Sequence, residues 1–282
     1  MKVKTMASRA FRSGASRGAA RLTAGAAVFS LALFAVLFAS SSAQAHEFLL
    51  KPNKFTIKKG EKVAAHAMAS HVFMVSEEME PLNTVEASVR QGKTVTPLKF
   101  TENAKAAQLE TSFSLASDAP ALLLGRRHDD VVCLTTRGAQ DGTRKELEAK
   151  GLTVKSCTLY EKFVKVWLNA QASDKSFAEP VDQKLEIIPL TPPAQTKVGE
   201  EMQFKVLYDG KPLSAAAWAT YDGFSKHENT YAYYTEADAQ GIVNVKITAP
   251  GAWMVRVAHT VKNNGGDIDA TETRAVAMFE VR

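Results

Sequence analysis

From residue 46 onward, apolar and polar residues alternate over short stretches that Gly, Pro, Asn and Asp interrupt. A side-chain period of two predicts strands, and frequent turn residues predict antiparallel connections between them. The pattern is clearest toward the C-terminus. Met202, Phe204, Val206 and Tyr208 alternate with polar neighbours up to Asp209-Gly210; strands are then predicted over residues 218–221, 231–235, 242–248, 253–261 and 271–281. Asn263-Asn264-Gly265-Gly266 joins the last two as a hairpin. About seven strands in roughly 90 residues is the size of an immunoglobulin-like sandwich.

Upstream, strands are predicted over 54–57, 62–69, 85–89, 108–115, 121–125 and 131–135, while 159–167 reads equally as helix or strand. Thr143 and Gly151 bracket one short helix as cap and stop. Pro189, Pro192 and Pro193 lack the donor that a central ladder needs, which places a boundary there. The pattern therefore predicts an all-β chain of two β-sandwich domains, residues 46–190 and 191–282. The C-terminal one is immunoglobulin-like, and the N-terminal one carries the short helical excursion.

Residues 1–45 follow a different rule. Lys2, Lys4, Arg9, Arg12, Arg17 and Arg21 stand without an acidic residue, an apolar run spans 22–39, and small residues close in Ala43-Gln44-Ala45. This is the layout of a cleavable signal peptide cut between Ala45 and His46. No arginine pair precedes the run, so the general secretory route and a periplasmic destination are expected. Removing this segment takes six of the 35 Lys and Arg and none of the 30 Asp and Glu, leaving 29 against 30. The basic excess belongs to the signal, and no nucleic-acid footprint remains. The 237 residues left contain no second long apolar stretch, so the processed chain is not expected to be membrane-embedded.

Cys133 and Cys157 form an even pair in an oxidising compartment, which predicts a disulfide rather than a thiolate metal site. The histidines are His46, His66, His71, His128, His227 and His259. Cleavage would give His46 a free α-amine, which with ring Nδ1 can chelate one ion in a six-membered ring. An amine pKa near 8 lets a metal displace its proton readily at neutral pH. His71, at a strand end before the acidic run Glu77-Glu78-Met79-Glu80, is the best second ligand. His66, His227 and His259 are further candidates: His66 on a strand, His227 in an exposed loop, His259 on an apolar strand face. His128 lies in the charged stretch Arg126-Arg127-His128-Asp129-Asp130, expected to be a turn. No G-x-S-x-G, P-loop, H-E-x-x-H or G-x-G-x-x-G is present, so no catalytic residues are assigned and no enzyme activity is expected.

The stretch His46-Glu47-Phe48-Leu49-Leu50-Lys51-Pro52, the turn Lys58 to Val63, and Ser70-His71-Val72-Phe73 with Glu77 resemble the periplasmic proteins associated with nickel and cobalt uptake transporters. That family is also described as a domain of unknown function. Val198-Gly199-Glu200, Tyr208 to Leu213, Asp238 to Gly241, and Pro250-Gly251-Ala252-Trp253 with His259 resemble its C-terminal β-sandwich. The resemblance implies a periplasmic protein that captures Ni(II) or Co(II) and presents it to the membrane component of an uptake transporter, with His46 and His71 carrying over best. Two other classes stay open. One is a copper protein or oxidase in which His46 and a second histidine brace Cu(II). The other is a carbohydrate- or protein-binding module using Trp218, Tyr221, Tyr231, Tyr233 and Tyr234.

Overall fold

The structure, a computed structural model, describes residues 46–282. Residues 1–45, where the signal peptide and its cleavage site at Ala45 are expected, lie outside the described residues. The N-terminal half supplies β1 (Glu47–Pro52), β2 (Val63–Ser70), β3 (Val85–Gln91), β4 (Thr94–Pro97), β5 (Thr101–Asn103), β6 (Gln108–Phe113), β7 (Ala121–Thr135), β8 (Gly138–Asp141) and β9 (Val154–Leu168). Helix α1 (Arg144–Ala149) lies between β8 and β9. The C-terminal half supplies β10 (Leu185–Pro189), β11 (Glu201–Tyr208), β12 (Lys211–Pro212), β13 (Ala216–Tyr221), β14 (Tyr233–Glu236), β15 (Ile242–Lys246), β16 (Gly251–Lys262) and β17 (Ala270–Val281). No described helix is long and apolar enough to cross a membrane.

A nine-stranded sheet, in the order β14-β13-β16-β17-β9-β7-β3-β4 with β8 beside β7, forms the middle layer. One face packs on the sheet β1-β2-β6-β5; the other packs on β10-β11-β12 with β15 beside β11. Two cores result. Phe48, Leu50 and Leu109 meet Val164, Val166, Val276 and Met278 in the first. Phe204, Val206 and Val243 meet Trp167, Trp253, Val255 and Phe279 in the second. Successive residues of β17 thus point alternately into the two cores, so the strand is apolar on both faces, as strands covered on both sides are. The same double burial made residues 159–167 ambiguous in the sequence; they belong to β9.

Each core is a β-sandwich, and the C-terminal one is immunoglobulin-like as the pattern predicted. The two halves nevertheless share the middle sheet, because β17 runs parallel to β9 with Arg274 opposite Lys162 and Val276 opposite Val164. The described residues, 46–282, accordingly cluster as one compact unit. The expected boundary near residue 190 falls between β10 and β11, which are themselves antiparallel partners.

Three local expectations are corrected. Residues 54–57 form no strand, because Asn169 takes their backbone hydrogen bonds: its side chain accepts from the Ile57 N–H at 2.6 Å and donates to the Ile57 carbonyl at 2.8 Å. Residues 121–125 and 131–135 are one strand, β7, with a bulge between Arg127 and Asp130 instead of a charged turn. Ion pairs from Arg126 to Glu161 and from Arg127 to Glu80 let the strand carry those charges. His128 lies at the bulge, 2.9 Å from Glu86. The helix forms as predicted, with a reciprocal capping box between Thr143 and Glu146. The Cys133–Cys157 disulfide joins β7 to β9 beneath it, around Leu147.

Gly125 fixes how closely β1 approaches the middle sheet. A Cβ there would lie 2.5 Å from Leu50 Cδ1 and 2.8 Å from Val164 Cγ1. The bare backbone lets Leu50 of β1 settle onto β7.

Candidate metal centre

The β1–β2 ladder ends with Glu47 opposite Ser70. One further step along that register brings His46 beside His71, and their ring centroids are 4.2 Å apart. After β2 the chain folds back instead of leaving the sheet. The Glu77 N–H donates to the Ala69 carbonyl at 3.0 Å and the Ala69 N–H donates to the Glu78 carbonyl at 3.2 Å. Met74 is buried in the core and Phe73 and Met79 pack against it. This fixed loop, and not chance proximity of flexible side chains, carries Glu77 and Glu78 to the histidines.

His46, His71 and Glu77 each offer a ligand atom, and these atoms lie within 4.8 Å of one another. Metal–nitrogen and metal–oxygen bonds of about 2.1 Å allow donors on one ion to stand up to about 4.2 Å apart, so small side-chain rotations close the set. The surroundings orient each donor. Glu77 takes the His71 Nδ1 at 2.8 Å through one oxygen and the Val72 N–H at 2.9 Å through the other. Burial alone would raise the Glu77 pKa, but these hydrogen bonds outweigh it and hold the carboxyl below its usual value. Glu78 lies 3.2 Å from the His46 Nε2. That contact occupies the outer nitrogen of His46 and leaves Nδ1, the nitrogen that closes a chelate ring with the residue's own amine. Burial, helped by His71 and Lys162, pulls the His46 pKa down against the pull of Glu78 and Glu80. The neutral imidazole, the form that binds metal, is therefore favoured.

The other candidate histidines stand apart from this cluster. His66 on β2 bonds Asn53 at 3.0 Å and Gln108 at 2.9 Å, with Glu110 at 4.0 Å. His259 packs edge-on against Tyr208, centroids 4.6 Å apart, over the second core. His227 is exposed in the loop after β13. That loop does touch the cluster's backbone, since the Asn229 N–H donates to the His71 carbonyl at 2.9 Å. The aromatic residues do not form one platform. Trp218 groups with Tyr231 and Tyr234, whereas Tyr221 packs on Trp253 and Phe224, and Tyr233 packs against the second core.

A charged layer under the cluster does not stand out in the linear sequence. Glu47 accepts from Arg274 at 2.9 Å and from Arg256, and Arg127 pairs with Glu80 at 2.9 Å. Arg256 also lies over the Trp218 ring, 4.8 Å from its centroid. The available signal was a basic residue at an inward position of strands otherwise apolar on that face: Arg127 after Leu123 and Gly125, Lys162 before Val164, and Arg274 before Val276.

Fold and cluster together define an all-β sandwich protein with a His-His-Glu donor set at one end of its first core. The chain belongs to the family described as Domain of unknown function (DUF4198), which matches residues 43–261. No curated protein matches it. Among solved structures, the D0-D1 domain of Intimin is 12% identical over 83% of this chain and 98% of that one, with a TM-score of 0.20. The mouse nectin-like molecule 4 ectodomain is 10% identical over 84% of this chain and 65% of that one, at 0.18. The group B streptococcus pilus 2b backbone protein is 9% identical over 82% and 98%, at 0.15. Likenesses at this level add nothing about function.

Proposed function

We propose that this protein is a periplasmic metal carrier that captures Ni(II) or Co(II) at His46, His71 and Glu77 and presents it to a membrane uptake transporter. The observation that carries the reading is the convergence of those three donors within 4.8 Å on a backbone held by the β1–β2 ladder and the folded-back loop. Two imidazoles and a carboxylate suit late first-row divalent ions. Cleavage before His46 would add the α-amine as a fourth donor from the same residue as Nδ1. Export and site assembly would then be one event.

The same His46 geometry favours a second reading, a copper-binding histidine brace, because the Glu78 contact at Nε2 leaves Nδ1 for the chelate ring. Calorimetric titration of the chain beginning at His46 with Ni(II), Co(II), Cu(II) and Zn(II), beside His71→Ala, tests both. Binding of Ni(II) or Co(II) that His71→Ala weakens at least tenfold, or about 1.4 kcal/mol, supports the carrier. Binding of Cu(II) alone, with oxygen consumed when a reductant is added, would favour the copper reading. No uptake of any ion would remove both.

A further inference from the structure

The middle sheet places three cations in one row beneath the donor cluster. Arg127 on β7 is the register partner of Lys162 on β9, and Lys162 is the register partner of Arg274 on β17. Directly opposite residues point to the same side of a sheet, at a strand spacing of about 4.8 Å. All three are buried, at 6%, 4% and 6% exposure. The outer two are neutralised: Arg127 by Glu80 at 2.9 Å and Asp130 at 2.8 Å, Arg274 by Glu47 at 2.9 Å and Glu272 at 2.6 Å. Glu47 also serves Arg256. Lys162, in the middle, makes no hydrogen bond or ion pair among the described residues; burial pushes its pKa down, against the pull of the Glu80 and Glu47 carboxylates that favour its charged form.

The two inner acids locate this lysine relative to the cluster. Glu47 directly follows His46 in the chain, and Glu80 is two residues beyond Glu78, whose carboxylate reaches the His46 ring. Lys162 lies between the arginines that hold those two acids, and it feels both carboxylates without a direct ion pair of its own. It is also one of the charges that lower the His46 pKa.

We propose that Lys162 is an electrostatic brake on metal affinity, a buried ammonium with no ion pair of its own that repels a divalent ion held by His46, His71 and Glu77. The inference rests on the carrier reading given above. A carrier must surrender its ion, and a fixed positive charge beneath the site shortens the ion's stay without removing a ligand. Because the repulsion acts on charge, it bears equally on every divalent ion. Because it is buried, salt screens it little.

The test is calorimetric titration of the chain beginning at His46 with Ni(II) and with Zn(II), for the wild type, Lys162→Met, Lys162→Arg and His71→Ala. Lys162→Met is expected to tighten both ions by a common factor of about ten or more, and Lys162→Arg, which keeps the charge, to stay within about twofold of the wild type. A merely structural lysine would give the opposite result, since disturbing the floor would loosen the site. Unchanged or weaker binding by Lys162→Met, with its circular dichroism and thermal midpoint intact, overturns the brake. Lys162→Gln stands in for the methionine variant if that variant does not fold. Wild-type binding that His71→Ala abolishes while both neutral variants at 162 leave it unchanged would sink the brake and leave the carrier standing. Absence of any wild-type binding would sink both.

Discussion

Replacing Glu47 with Gln removes a buried charge that two arginines of the C-terminal half share. The Glu47 side chain is 7% exposed; one of its oxygens accepts from Arg274 at 2.9 Å and from Arg256. Breaking a buried ion pair from one side costs about 3–5 kcal/mol, because the partner is left uncompensated. Here each arginine keeps a second interaction, Arg274 with Glu272 at 2.6 Å and Arg256 with the Trp218 ring at 4.8 Å. The loss should therefore fall near about 3 kcal/mol, the lower end of that range. For a chain of this size each kcal/mol moves the thermal midpoint by about 2–4 °C, so a drop of about 6–12 °C is expected. Urea denaturation followed by fluorescence and circular dichroism measures it. Adding Arg274→Met to Glu47→Gln should recover part of the loss, since the uncompensated guanidinium is gone. A Glu47→Gln variant within about 0.5 kcal/mol of wild type, the range of ordinary surface substitutions, would refute the argument that this carboxylate ties β1 to β16 and β17.

Two further outcomes follow from the same structure. The pKa values of His46 and His66 are both pulled below the usual 6.5, chiefly by burial, so the folded state binds fewer protons than the unfolded one in that range. Their contribution is complete above pH 6.5 and is lost as pH falls through the folded values. The thermal midpoint should drop on acidification below that point, and His66→Gln should flatten part of the slope; an unaltered slope would contradict the assignment. The Cys133–Cys157 bridge closes a sequence separation of 24. Replacing both cysteines with Ala should cost about 3 kcal/mol in urea denaturation, and a cost under about 1 kcal/mol would show that α1 and its small core hold without it.

Strand alternation made the all-β class legible, and most strands of the C-terminal half lie close to where alternation puts them. Residues 159–167 were not legible because β9 is buried on both faces, which erases the alternation that marks a strand. Residues 54–57 look like a strand but give their hydrogen bonds to Asn169, more than a hundred residues away, a partner that no local pattern reveals. The pairing of β9 with β17 is equally non-local, and the shared middle sheet rests on it. At the candidate site, His46 and His71 could be chosen from the expected cleavage position and the end of a predicted strand. Their meeting depends on the β1–β2 register, and Glu77 joins them only because the loop folds back onto Ala69. The charged layer beneath is legible only once it is known which strands are neighbours, because Arg127, Lys162 and Arg274 are far apart in sequence and adjacent in the sheet.

Metal binding at an N-terminal His46 is tested most directly by adding one residue. Calorimetric titration with Ni(II) and Co(II) should compare the chain beginning at His46 with the same chain carrying one extra alanine before it. The extension converts the amine into an amide and displaces it from the chelate ring while leaving His46, His71 and Glu77 in place. Affinity is predicted to fall by at least tenfold, or about 1.4 kcal/mol. Equal affinities for the two chains would contradict the account.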